Sequence, residues 1–347
     1  WPLEIAGGQY MPVSWAEIAG WHDDNHLDAF KAFRASCRAV TARRTSAVRQ
    51  KALGTALRNQ CGIAKREDGV EQGKWRPCIG NRFQPVRVFG QGWGRGVGAR
   101  VGLGGGGRLI PRHGGVGSVE LFGPTGDLLA AGRQVIGVDL QSHGRSPAAD
   151  RAMRFETMAD DIAALMGSLA LERASIMGFS LGGAVALRTA IQHPDMVQRL
   201  VLVSTVFKRR GWHPEMTAGM DAMGPEMAGF LMQSPMYQAY QRIAPRVEDW
   251  PVLVEQVTGA MKIDYDWSTD VPGLSMPVML LVGDADGLPP SHTVEFFGLL
   301  GGGRRDANWD RSGMTHHRLA ILPGATHYDI NINPALAAAV IPFLDGD

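Results

Sequence analysis

The sequence predicts an α/β fold in which a mostly parallel sheet carries helices on both faces and a helical insertion lies between two core strands. Three observations predict it. From residue 113 onward, short apolar runs alternate with stretches of helical periodicity. Residues 207–275 break that rhythm with a helical pattern punctuated by Pro214, Pro225, Pro235, Pro245 and Pro251. The charge is also divided along the chain: residues 1–112 carry 18 Lys and Arg against 8 Asp and Glu, and the remainder 17 against 26, so a net charge of +1 conceals two unlike parts. With 347 residues, 45% of them hydrophobic and 20% charged, the chain is too apolar and too balanced in charge for a disordered polypeptide. No stretch reaches 18 consecutive apolar residues, which excludes a membrane-spanning helix.

Residues 1–40 read as a short globular segment, with Leu27, Phe30, Phe33 and Cys37 at helical spacing between His26 and Val40. Residues 41–107 read as a basic linker or irregular extension. Glycine fills 10 of the 18 positions from 90 to 107, and glycine loses the most backbone entropy on folding. GLGGGG at 102–107 opens no helix pattern, so it is not read as a phosphate-binding turn, and without spaced aromatic residues the basic arm is not read as a nucleic-acid site. Its Arg, Gly and Trp bias is that of a GC-rich gene read out of frame. Cys37, Cys61 and Cys78 are too few for a disulfide framework and have no metal-ligand spacing. No charged and apolar leader pattern opens at Trp1, and a cytoplasmic location is expected, with export left open.

The core is expected over 108–206 and 276–347. Its strand candidates are Gln134–Leu140, Ala174–Phe179, Arg199–Ser204, Pro277–Val282 and Arg318–Leu322, and helices are expected at about 155–170, 181–193, 291–300 and 333–344. The weakest expected strand is Arg108–Arg112, because Pro111 removes a ladder donor and two arginines suit a buried strand poorly.

The sharpest chemical signal is Gly178-Phe179-Ser180-Leu181-Gly182-Gly183, placed between a strand and a helix pattern. A nucleophile standing clear of a sheet needs such a tight strand-to-helix turn, and it gains from the dipole and free N–H groups of the helix N-terminus. Serine is a weak nucleophile at neutral pH, so it requires a base to take its proton and a carboxylate to orient that base. The strand PVMLLV runs into Asp284 and Asp286; Asp286 is the chosen acid because it lies further past the strand, with Asp284 as fallback or turn cap. The next strand leads into His327, the chosen base; His316 and His317 precede that strand and are expected at the surface, and His292 is expected to open a helix. For the oxyanion, one N–H is expected from Leu181 and another from the turn His113-Gly114-Gly115-Val116, with Gly115 chosen, Val116 the alternative and His113 a brace for the loop.

The HGG turn, Asp139 with His143-Gly144-Arg145-Ser146, the GFSLGG turn, GDAD and GATH follow one another over residues 113–347 as they do in the α/β-hydrolase superfamily of lipases, esterases and coenzyme-free haloperoxidases, which this part of the chain resembles. The resemblance implies a serine carboxylesterase working through an acyl-enzyme on Ser180, with no metal or cofactor. It equally admits a proline-type aminopeptidase, a perhydrolase or a carbon–carbon bond hydrolase. Residues 11–40 resemble the beginning of the lytic murein transglycosylase A family, so a cell-wall-associated or non-enzymatic binding protein stands as the reading from another class.

Substrate choice is expected to reside in a cap, the insertion 207–275. Met216, Met220, Met223 and Met227 recur every three or four residues there, and with Tyr237 they are the candidate pocket residues for small to medium hydrophobic esters. No arginine cluster occurs in the insertion, which disfavours a strongly acidic substrate. The expected partner is a small-molecule ester, with no nucleic acid and no integral membrane contact, and the expected state is a monomer or homodimer.

Overall fold

The computed structural model describes residues 107–130 and 132–346, together with strand backbones at 3–5, 8–12, 86–89 and 99–101. The helix expected over 26–40, most of the murein transglycosylase resemblance and the glycine run 102–106 lie outside the described residues. Leu3–Ile5 (β1), Gly8–Pro12 (β2) and Val86–Phe89 (β3) form an antiparallel sheet in that order. Ala99–Val101 (β4) comes from the segment expected to be irregular, yet it pairs antiparallel with Gln134–Val138 (β6) at the edge of the main sheet.

That sheet is completed by Arg108–Arg112 (β5), Ala174–Phe179 (β7), Val197–Val203 (β8), Val278–Ala285 (β9) and Arg318–Thr326 (β10), in the order β10-β9-β8-β7-β5-β6-β4. All pairs other than β4 with β6 are parallel. Chain order reverses at β5, which lies between β6 and β7, and such a switch point opens a crevice at the carboxyl ends of the strands.

Strand periodicity divides the core in two. Ile176, Leu200, Leu202 and Leu280 pack toward Phe155–Ser168 (α2) and Leu181–Gln192 (α3), whereas Met177, Val201, Val203 and Leu281 pack toward Gly123–Ala130 (α1) and Pro334–Asp345 (α9). Each such side chain removed from water contributes about 2 kcal/mol. Between β8 and β9 lie Pro214–Ala222 (α4), Met227–Leu231 (α5), Pro235–Ile243 (α6) and Trp250–Met261 (α7); Pro290–Leu299 (α8) follows β9. None of the described helices is long and apolar enough to cross a membrane.

The expected strand over 134–140 stops at Val138, because the Leu140 N–H turns away to the His113 ring. The strand expected at 318–322 continues to Thr326 through an irregularity, with Gly324 at φ 70° and its N–H bound to Asp284. β5 takes the central place despite its sequence: its ladder to β6 ends at Leu109, so Pro111 meets β7 alone. Arg112 is fully buried there, its Nε and Nη2 without partners, and burial pulls its pKa down to about 9. His317 is buried, contrary to its expected surface place; its Nδ1 accepts from the Val278 N–H, an interaction that a strand-edge histidine gains only once β9 and β10 pair.

Candidate active site

The turn from β7 into α3 is sterically specific. A Cβ at Gly178 would strike the Gly182 carbonyl, and one at Gly182 would strike the His113 carbonyl, so only glycine lets the helix sit this close to the strands. Ser180 pays for the turn with φ 53° and ψ −119°, a conformation few non-glycine residues adopt. Its Oγ stands at the N-terminus of α3, where the helix dipole favours negative charge.

Three loops at the strand ends converge on it. His327, just past β10, places Nε2 at 3.0 Å from Ser180 Oγ and Nδ1 at 2.8 Å from Asp286 Oδ1. With the carboxylate as acceptor, Nδ1–H donates and Nε2 is left to accept the serine proton. Phe179 packs 5.2 Å from the imidazole, and Trp212 meets it edge-on at 5.4 Å. Asp286 is 7% exposed and accepts from Ser204 Oγ and from the amides of Gly283 (3.2 Å) and Gly287 (2.7 Å). Burial opposes its charge, but the bonds from His327, Ser204 and Gly283 prevail and hold its pKa below the usual carboxylate value. Asp284 is exposed and instead caps the Gly324 N–H.

The turn after β5 is braced by two buried histidines. His113 Nδ1 bonds the Gly114 carbonyl at 2.8 Å while Nε2 accepts from Leu140 N–H; His143 Nδ1 bonds the Gln141 carbonyl while Nε2 accepts from Val116 N–H at 3.1 Å. Burial lowers the pKa of both, that of His143 further still through the nearby His113. Asp139 receives the Val119 and Arg145 amides and the Arg145 guanidinium. Val116 therefore spends its N–H on His143, whereas the N–H groups of Gly115 and Leu181 make no hydrogen bond among the described residues. The two adjoin: a Cβ on Gly115 would lie 3.9 Å from Leu181 Cδ2.

A cavity of about 40 Å³ opens at Ser180, walled by Phe155, Leu181, Trp212, Met220, Met261 and Tyr265 among others. Of the expected pocket residues only Met220 lines it. Met216 packs against Gly287 and near the Tyr328 hydroxyl, Tyr237 packs edge-on against Trp250, Met227 leans on the core, and Met223 follows α4. Sequence reasoning missed Ser204, Arg209, Trp212 and Tyr265. A larger cavity of about 680 Å³ lies away from Ser180, along α7, and shares only Ala260 with the first. No group of His, Cys, Asp and Glu able to hold a metal occurs among the described residues.

Residues 108–234 match the family described as alpha/beta hydrolase fold. In the structure, 72% of the chain superimposes on 93% of a thermophilic esterase from Thermogutta terrifontis, with a TM-score of 0.56 at 20% identity. The matched part of the chain has the α/β-hydrolase fold. The chain is 33% identical over 117 residues to the sn-1-specific diacylglycerol lipase ABHD11 of Danio rerio, a match covering 33% of this chain and 37% of the lipase. It is 27% identical over 183 residues to the AB hydrolase superfamily protein YisY of Bacillus subtilis, covering 47% of this chain and 68% of that protein. The chain thus spans little more than a third of the lipase it matches. An enol-lactonase from Burkholderia xenovorans shares the fold, with a TM-score of 0.53 at 20% identity over 72% of this chain and 96% of the other.

Proposed function

We propose that this α/β hydrolase is a serine carboxylesterase for esters with short acyl groups. The observation that carries the reading is the unbroken chain Ser180 Oγ to His327 to Asp286, with hydrogen-bond spacings of 3.0 and 2.8 Å. His327 takes the proton as Ser180 attacks the ester carbonyl, and Asp286 stays ionised and stabilises the imidazolium. The free N–H groups of Leu181 and Gly115 receive the oxyanion, each donor in such sites being worth about 3–4 kcal/mol. His327 then protonates the departing alcohol, and water repeats the cycle to release the acid. The apolar wall and small volume at Ser180 favour a short acyl chain.

A fluorophosphonate probe tests this directly. It should label Ser180, and Ser180→Ala should abolish both labelling and hydrolysis of an activated acetyl ester while keeping the fold. Turnover that survives in the alanine variant would assign the chemistry elsewhere.

A further inference from the structure

Arg209 stands apart in the wall around Ser180. The short turn Arg209–Gly211, just beyond β8, carries it into a lining otherwise made mainly of apolar side chains and without any acidic one. Its side chain is 13% exposed. Two of the five guanidinium N–H groups have protein partners: Nε donates to the Met261 carbonyl at 3.1 Å and Nη2 to Asp221 Oδ1 at 2.6 Å. Nη1 has none, and it is not among the polar atoms sealed from solvent.

These two bonds tie the turn to α4 and to the last residue of α7, so the planar fork is held before any ligand arrives. Holding two helices needs only a neutral donor, and a neutral ester needs only an apolar wall. A neutral ester makes no use of the guanidinium N–H groups that these two bonds leave over. Asp221 pairs with the guanidinium from outside the lining and is 56% exposed, so water screens that ion pair. What the free edge of the fork fits is a planar anion with two acceptor oxygens.

We propose that Arg209 reads a carboxylate on the substrate, so that the preferred ester is short and bears a carboxylate a few bonds from its scissile carbonyl. The room of about 40 Å³ at Ser180 limits the carboxylated group to a few heavy atoms. A single fixed arginine thereby does what the insertion lacks a cluster to do. The inference rests on Ser180 being the nucleophile, and its test separates the two.

Two matched pairs read it: monoethyl succinate against ethyl 4-methylpentanoate, with the charge on the acyl side, and acetoxyacetate against isobutyl acetate, with the charge on the alcohol side. The protein should favour the carboxylated member of one pair by about a hundredfold in kcat/KM, since a polar site strongly rejects an analogue that leaves it unpaired. Arg209→Met should bring that ratio near one, and Arg209→Lys should restore part of it. Ratios near one in the parent protein, or a preference that survives Arg209→Met, overturn the proposal. Calorimetric titration of Ser180→Ala protein with succinate reads the same contact without turnover. Binding that Arg209→Met removes supports the proposal even if Ser180 proves not to be the nucleophile, and the absence of binding overturns it even if the esterase reading holds.

Discussion

The Ser204 hydroxyl donates to Oδ2 of Asp286 while Oδ1 of the same carboxylate faces His327 Nδ1. Ser204 is the first residue past β8, the strand lying between the one that ends at Ser180 and the one that leads to Asp286, and it takes φ 50° to make the bond. The carboxylate is thereby locked in rotation as well as in charge.

Ser204→Ala removes one of the donors that keep the Asp286 pKa low, so that pKa rises toward its ordinary value. A carboxylate is charged above its pKa, so the stability that ionised Asp286 contributes should be lost at a higher pH on acidification than in the parent protein. We expect kcat to fall about tenfold with KM little changed, as for one hydrogen bond to a charged group. Steady-state rates check the fall in kcat and acid denaturation the shift in stability; a folded variant unchanged in both would show that Ser204 merely packs.

Arg112 is a cation buried in the central strand with two unpartnered nitrogens. Arg112→Leu should stabilise the protein by about 2 kcal/mol, roughly 5 °C in Tm. Because its pKa is lowered only to about 9, the residue is protonated in both folded and unfolded chains at neutral pH, and the gain should be the same at pH 6 and pH 8. Calorimetry at the two pH values tests both statements.

Four buried histidines make stability fall early on acidification. Burial pushes His292 and His317 down to about 4 and lowers His113 and His143 as well. Each is therefore neutral when folded and protonated when unfolded over a range starting near the ordinary histidine value of about 6.5. The unfolded chain binds more protons, so stability is complete above that value and is lost as pH falls, by about 1.4 kcal/mol per pH unit for each proton taken up. Denaturant titrations between pH 7 and 4.5 should show this slope, and His317→Phe should remove roughly one proton from it.

Met220 and Met261 close the cavity at Ser180. Met261→Ala or Met220→Ala should shift the preference from acetyl toward butyryl and hexanoyl esters by about tenfold, since each truncation frees the space of about three heavy atoms. Rates over a series of 4-nitrophenyl esters measure it. A preference centred on acetyl in both variants would place the acyl group elsewhere.

The strand-to-helix turn at Ser180, and Asp286 and His327 that meet it, could be picked out in sequence because each stands in a short loop directly after an apolar run, and glycine spacing marked the turn. Ser204 was not, since its importance follows from β8 lying between β7 and β9, a fact of sheet order. The methionine repeat misled for a physical reason: α4 ends at Ala222 and α5 starts at Met227 after Gly224 and Pro225, so the repeat spans two helices and does not form one face. Phe155 and Tyr265 reach the cavity from segments over a hundred residues apart, which no local pattern reveals. Arg108–Arg112 looked unfit for the centre of the sheet, and the two unpartnered guanidinium nitrogens of Arg112 show the cost of putting it there.

Ala260 lines both the small cavity at Ser180 and the 680 Å³ space along α7, so this one helix is a partition between them. A larger side chain at residue 260 would therefore be felt in both spaces at once.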